Sequence, residues 1–159
     1  MIPVATRHAT PADLELLVRL YRDLEAEMSG LSAMWPLAEG LPEPVEDAFE
    51  TMLADPDVVV LVGEIDRAGV GFLVARVAGL LPQAGGERRG VIPFVFVEGE
   101  ARGVGVGEAL LEAALDELRG RGIRRFDAHV LPGHRLAKNF FESGGFAARS
   151  IIMYHEDAP

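Results

Sequence analysis

Phe94-Val95-Phe96-Val97-Glu98-Gly99-Glu100-Ala101-Arg102-Gly103-Val104-Gly105-Val106-Gly107-Glu108, continuing as ALLEAALDEL to Leu118, passes from an apolar strand through a polar turn into an amphipathic helix. Gly103, Gly105 and Gly107 open that helix, although each glycine costs roughly 0.5–1 kcal/mol more backbone entropy than alanine. A ligand that needs bare backbone would compensate. A helix N-terminus carries unpaired N–H groups and partial positive charge, which suits a phosphate. The stretch therefore reads as a pyrophosphate-binding turn.

The flanking segments define the architecture. Downstream, Leu110, Leu111, Ala114, Leu115 and Leu118 form one apolar stripe, while Glu108, Glu112, Asp116 and Arg119 face water. Gly120 and Gly122 bracket the helix end, and a strand from Arg124 to Leu131 stops at Pro132-Gly133. Strand, crossover helix and strand make a right-handed βαβ unit with parallel strands. A last helix is expected over Arg135 to Ser143, with strands closing the chain through Tyr154.

Upstream, Val4 to His8 reads as a strand, and Thr10-Pro11-Ala12-Asp13 as a helix start. Leu14, Leu17, Val18, Tyr21, Leu24 and Met28 then share a helical face. Leu31 to Leu41 is irregular and holds Met34, Leu37 and the chain's one tryptophan, Trp35. Trp35 either folds back on the core or walls a substrate site. A second helix is expected over Glu43 to Ala54. Val58–Ile65 and Gly69–Val77 read as antiparallel strands joined by a type I turn over Asp66-Arg67-Ala68-Gly69. The reading is α+β: an antiparallel meander followed by a parallel βαβ crossover, a mixed sheet in one domain over residues 1–159.

Composition narrows the function. The formal charge of −10 argues against nonspecific nucleic-acid binding, which needs a basic surface. It is compatible with a cationic substrate and equally with plain solubility. The absence of cysteine removes disulfides, Cys-ligated zinc and a thiol nucleophile. Met1-Ile2-Pro3-Val4 lacks a signal-peptide pattern and no apolar run has membrane-span length. A cytoplasmic protein with no membrane partner is expected.

Two phosphate loops are excluded by spacing. A G-x-G-x-x-G fingerprint from Gly103 would need glycine where Glu108 stands, and a P-loop would need G-K-[ST] at the helix start. The stretch instead resembles motif A of the GNAT superfamily, the GCN5-related N-acetyltransferases. Its pattern Arg/Gln-x-x-Gly-x-Gly/Ala is filled by Arg102, Gly105 and Gly107. The segment from His134 through Ala137, Phe140 and Phe141 to Gly145-Phe146 is similar to the family's second signature, Asn-x-x-Ala-x-x-Phe-Tyr-x-x-x-Gly-Phe. The element order from residue 4 to 156 looks like the whole GNAT fold, which implies helices on both sheet faces.

The resemblance implies acetyl-CoA as donor and an amine as acceptor, with no metal. The pyrophosphate would lie on the amides of Arg102, Gly103, Val104, Gly105, Val106 and Gly107, with Glu108 at their end. The pantetheine arm would pair with Phe96, Val97 and Glu98 where the parallel strands splay, and the thioester would sit at the Val97 amide. His134 stands where the family has Asn and can still donate to the CoA arm. Phe141 replaces the family's Tyr general acid, keeping a packing surface and losing the proton donor. Tyr154 would substitute only if the last strand reached the thiol. Lys138 either meets a CoA phosphate with Arg102 and Arg135 or lies on a solvated helix face.

An attacking amine must be neutral, so a base is useful. His129 is the first candidate, on an imidazole pKa suited to the task, against a structural histidine; Glu98 and Glu100 are rivals. The implied activity is acetyl transfer to the amine of a small cationic metabolite. Alternatives are a protein N-terminal or lysine acetyltransferase, and a non-catalytic acyl-CoA-binding module. A homodimer would follow the family habit of pairing through edge strands or loops.

Overall fold

A computed structural model describes residues 3–31, 35 and 40–159. Five strands form one sheet in sequential order: β1 (Val4–His8), β2 (Val58–Ile65), β3 (Ala68–Gly79), β4 (Arg88–Val97) and β5 (Phe126–Ala128). The first three junctions are antiparallel and β4 pairs with β5 in parallel. The longer helices among the described residues are α1 (Leu14–Leu31), α2 (Val45–Ala54), α3 (Val106–Gly120) and α4 (Arg135–Ser143).

Alternation along the strands splits the core into two layers. Val60, Val62, Phe72, Val74, Phe94 and Phe96 meet Leu17, Leu20, Tyr21 and Leu24 of α1 and Phe49 of α2 on one face. Val59, Leu61, Leu73 and Ile92 meet the α3 stripe on the other, Leu110, Leu111, Ala114, Leu115 and Leu118, together with Phe141 of α4. Trp35 is buried in the first layer, its ring 6.4 Å from that of Tyr21. It folds back on the core. Met34 and Leu37, of the same irregular stretch, lie outside the described residues.

Three elements differ from expectation. The β2–β3 turn places both Asp66 and Arg67 at positive φ (48° and 70°), with Ile65 opposite Ala68. This is a two-residue hairpin of type I′, whose twist matches the flanking strands where a type I turn would splay them. Second, β5 is shorter than Arg124–Leu131, because only Phe126–Ala128 finds partners on β4, at Gly90–Ile92. Third, no strand follows α4 among the described residues. Ile151, Ile152 and Met153 are 78%, 86% and 87% exposed, and Tyr154 donates to Glu156, two residues on, at 2.8 Å. A β-branched run has strand propensity, yet this segment pairs with no strand among the described residues.

The start of that segment is tied down by charge. Asp127 on β5 accepts from Arg149 at 2.6 Å through both carboxylate oxygens and from Arg89 of β4. These guanidiniums, Arg149 first, hold the Asp127 pKa at about 2 against the opposing pull of burial. A depressed carboxylate contributes stability that is complete above its unfolded value near 3.8 and is lost as pH falls through about 2. Asp127→Asn should therefore lower stability by about 1 kcal/mol at pH 7, the exposed Arg149 partner limiting the effect. The gap from wild type should close as pH approaches 2, measured by urea unfolding at stepped pH.

Candidate active site

The site begins with a bulge. Val74 faces Phe94 while Arg76 faces Val91, so β4 fits one more residue than β3 between those pairs, around Ile92-Pro93. A bulge reverses the alternation beyond it. Before it, Gly90 donates to Arg125 and Ile92 accepts from the His129 amide, so both turn toward β5. After it, the Glu98 amide donates to Val70 of β3 at 2.9 Å. Phe96, two residues earlier and opposite Phe72, shares that orientation. The N–H and C=O of Val95 and Val97 therefore point to the side β5 has left, since the ladder ends at Ala128. The two parallel strands splay there, and a cavity lined by Val95, Phe96 and Val97 lies against the opening.

The glycine turn forms the next wall, and its glycines serve different purposes. Gly103 (φ 86°) and Gly105 (φ 97°) adopt positive φ that other residues resist, with nothing within 4 Å of an added Cβ. Gly105 is the N-cap of α3 and its carbonyl accepts from Ala109. Gly107 has ordinary backbone geometry, but a Cβ there would meet Phe140 of α4 at 3.1 Å. The first turn of α3 leaves the amides of Val106, Gly107 and Glu108 without i−4 partners. Residues 103, 106, 107 and 108 all line the cavity. Val104 is 41% exposed, and neither it nor Gly105 is part of the lining.

Helix α4 closes the cavity through His134, Leu136, Ala137 and Phe140. Here the structure departs from the motif-based assignment. Phe141 is buried in the α3 layer with its ring against Phe140 and Phe146, and it does not reach the cavity. One residue on a helix is a turn of about 100°, so Phe140 takes the exposed wall and Phe141 the core. Lys138 points to solvent and pairs with Glu142 at 3.2 Å, the solvated-face alternative. Burial lowers the His134 pKa below its ordinary 6.5, so the imidazole in the cavity is neutral at pH 7. His129 lies just beyond β5, exposed, and lines neither this cavity nor the neighbouring cleft.

Glu27 of α1 is the site residue that motif reading missed. Its carboxylate takes both terminal nitrogens of Arg102, at 2.8 and 2.7 Å, while Arg102 Nε donates to the Val97 carbonyl at 2.8 Å. The guanidinium also lies over the Phe96 ring at 5.4 Å. Arg102 holds the Glu27 carboxyl below the usual carboxylate range despite burial. A signal was available: Glu27 follows Leu20 and Leu24 by seven and three residues, so an acid interrupts a core-facing stripe. A second, acidic cleft shares Phe96 and is lined by Asp23, Glu98, Gly99 and Glu100. Glu98 pairs with Arg19 there.

Unpaired amides, a strand edge facing a gap and a cavity between them suit an extended ligand with an anionic group at one end. Residues 17–146 match the model of the acetyltransferase (GNAT) family. The mycothiol acetyltransferase of Beutenbergia cavernae is 35% identical over 97 residues, covering 61% of this chain and 31% of that protein. The chain thus aligns with about a third of that relative's length. A Bacillus halodurans C-125 protein described as a transcriptional regulator superposes with TM-score 0.77 at 24% identity, over 98% of this chain and 100% of its own. An aminoglycoside N-acetyltransferase in complex with CoA superposes with TM-score 0.75 at 18% identity, over 99% and 96%. These last two likenesses are of fold.

Proposed function

The chain belongs to the GNAT family of acetyltransferases, and from that premise we propose that it moves an acetyl group from acetyl-CoA directly to the primary amine of a small cationic acceptor. The observation that carries this reading is the splay of β4 from β5 beside the glycine turn, which leaves the backbone of Val97 facing the cavity. In it, the pyrophosphate lies on the amides at the start of α3 and the CoA arm follows Val95 and Val97. The register refines the pairing expected from the resemblance, since Glu98, and by alternation Phe96, spend their backbone groups on β3. Phe96 contributes its ring instead.

The neutral amine attacks the thioester carbonyl carbon and the Val97 N–H receives the developing oxyanion. Collapse breaks the C–S bond and releases CoA thiolate, while the amine proton passes to a base. With Phe141 in the core, the departing thiolate takes its proton from water. The acidic cleft of Asp23, Glu98 and Glu100 suits a cationic acceptor, and the names of the mycothiol and aminoglycoside acetyltransferases point toward small-molecule acceptors. Of the three base candidates, Glu98 and Glu100 line that cleft and His129 does not, and Glu98 is the one beside Val97.

Thiol release from acetyl-CoA across a panel of polyamines, amino sugars and peptides tests the reaction and separates the metabolite reading from protein acetylation. CoA binding without turnover on any amine would instead favour a binding module. Glu98→Gln should lower kcat by about a hundredfold, the low end for a general base. Loss of that size with His129→Ala and not with Glu98→Gln, measured over pH 6–9, would return the role to the histidine.

A further inference from the structure

Val97 is gripped on two sides by one side chain. Arg102 Nε bonds the Val97 carbonyl, in the peptide that follows the Val97 amide group, and the same guanidinium lies on the ring of Phe96, the residue before it. An arginine is flexible unless its far end is fixed, and here Glu27 fixes it with two parallel bonds from across the cavity. The pair is only about one-third exposed on either side. Glu27 is thus connected to the reacting region through Arg102, from 75 residues away in sequence.

Resting on the acetyl-transfer reading, we propose that Glu27 is a positioning residue: it holds Arg102 against Val97 and so aims the Val97 N–H at the thioester carbonyl. With the carbonyl of Val97 already taken by Arg102, the arm of CoA meets a Val97 whose N–H is the group left to donate. The same bidentate pair, with the bond to Val97, occupies the Arg102 guanidinium, which in this scheme serves the acyl end of the site and not the pyrophosphate. Glu27 touches no reacting atom in this scheme. Its removal should impair the response to the acetyl group and leave CoA binding nearly intact.

The ¹⁵N-labelled chain provides a readout that needs no acceptor. In wild type, the Val97 amide resonance should differ between the CoA-saturated and the acetyl-CoA-saturated protein, because the thioester carbonyl adds a hydrogen bond. In Glu27→Ala and in Arg102→Lys that difference should shrink by about half or more, while the Kd for CoA stays within about threefold. With an amine found active in the panel, kcat should fall at least about tenfold at little-changed KM for acetyl-CoA. The double variant should be no worse than either single one. An unchanged Val97 response in Glu27→Ala, or a loss expressed wholly as weaker CoA binding, would overturn the role of Glu27. Failure of the wild-type chain to bind CoA would sink the acetyl-transfer reading itself, and this inference with it.

Discussion

Val97→Pro is expected to cut kcat by about 10²–10³-fold, the loss typical of removing one oxyanion donor, while the protein still folds and binds CoA. Proline deletes one N–H and fixes φ near −65°. Inside a ladder the substitution would break the sheet. At Val97 it faces the opening left by β5, because the ladder bond to β3 is made by the next residue, Glu98, at 2.9 Å. Proline is tolerated at such edge positions. The Val97 carbonyl, bonded to Arg102, is retained. Val97→Ala is the control, since it keeps the N–H and trims only a half-buried side chain. A turnover in Val97→Pro close to that of Val97→Ala would remove the amide from the mechanism.

The second large effect is expected at Gly105. Its φ of 97° lies where a β-branched residue is strained. In Gly105→Val the backbone must swing to negative φ, and the first amides of α3 swing with it. CoA affinity should fall by about a hundredfold, or ~2.7 kcal/mol, by calorimetric titration. Gly105→Asn should lose much less, because asparagine tolerates positive φ. Bulk is not the cause: nothing lies within 4 Å of an added Cβ. Equal losses in the two variants would mean that contact, and not backbone conformation, is what the glycine supplies.

What could be read from the chain followed the range of the interactions. The α3 stripe from Leu110 to Leu118 is buried as its spacing implied, because helical periodicity is local. The glycine turn was legible for the same reason, as was the choice of Asp66-Arg67 as a turn. The turn type was not, since the twist of two paired strands selects it and residue preference alone matches type I. Strand propensity in Ile151-Ile152 said nothing about whether an edge would be there to pair with. Phe140 and Phe141 both fit an aromatic motif, and only the packing of α4 against α3 separates the cavity wall from the core. Glu27 meets Arg102 through tertiary structure, so a motif scan passes over it even though an acid on a core-facing stripe invites a question.

The extra residue of β4 at Ile92-Pro93 has a consequence for how this site can change. Ile92 packs in the α3 layer and Phe94, two places on, in the α1 layer, so the bulge that turns Val97 toward the gap also assigns the aromatic residues to their face. Simple alternation through Pro93, without the bulge, would reverse both assignments together. Phe94 and Phe96 would leave the layer they fill, and the Val97 amide would turn into the ladder. Chemistry and core therefore share one frame of reading along this strand. A lineage could vary the acceptor cleft freely, but smoothing this bulge would unpack the core in the same step that turned the Val97 amide away.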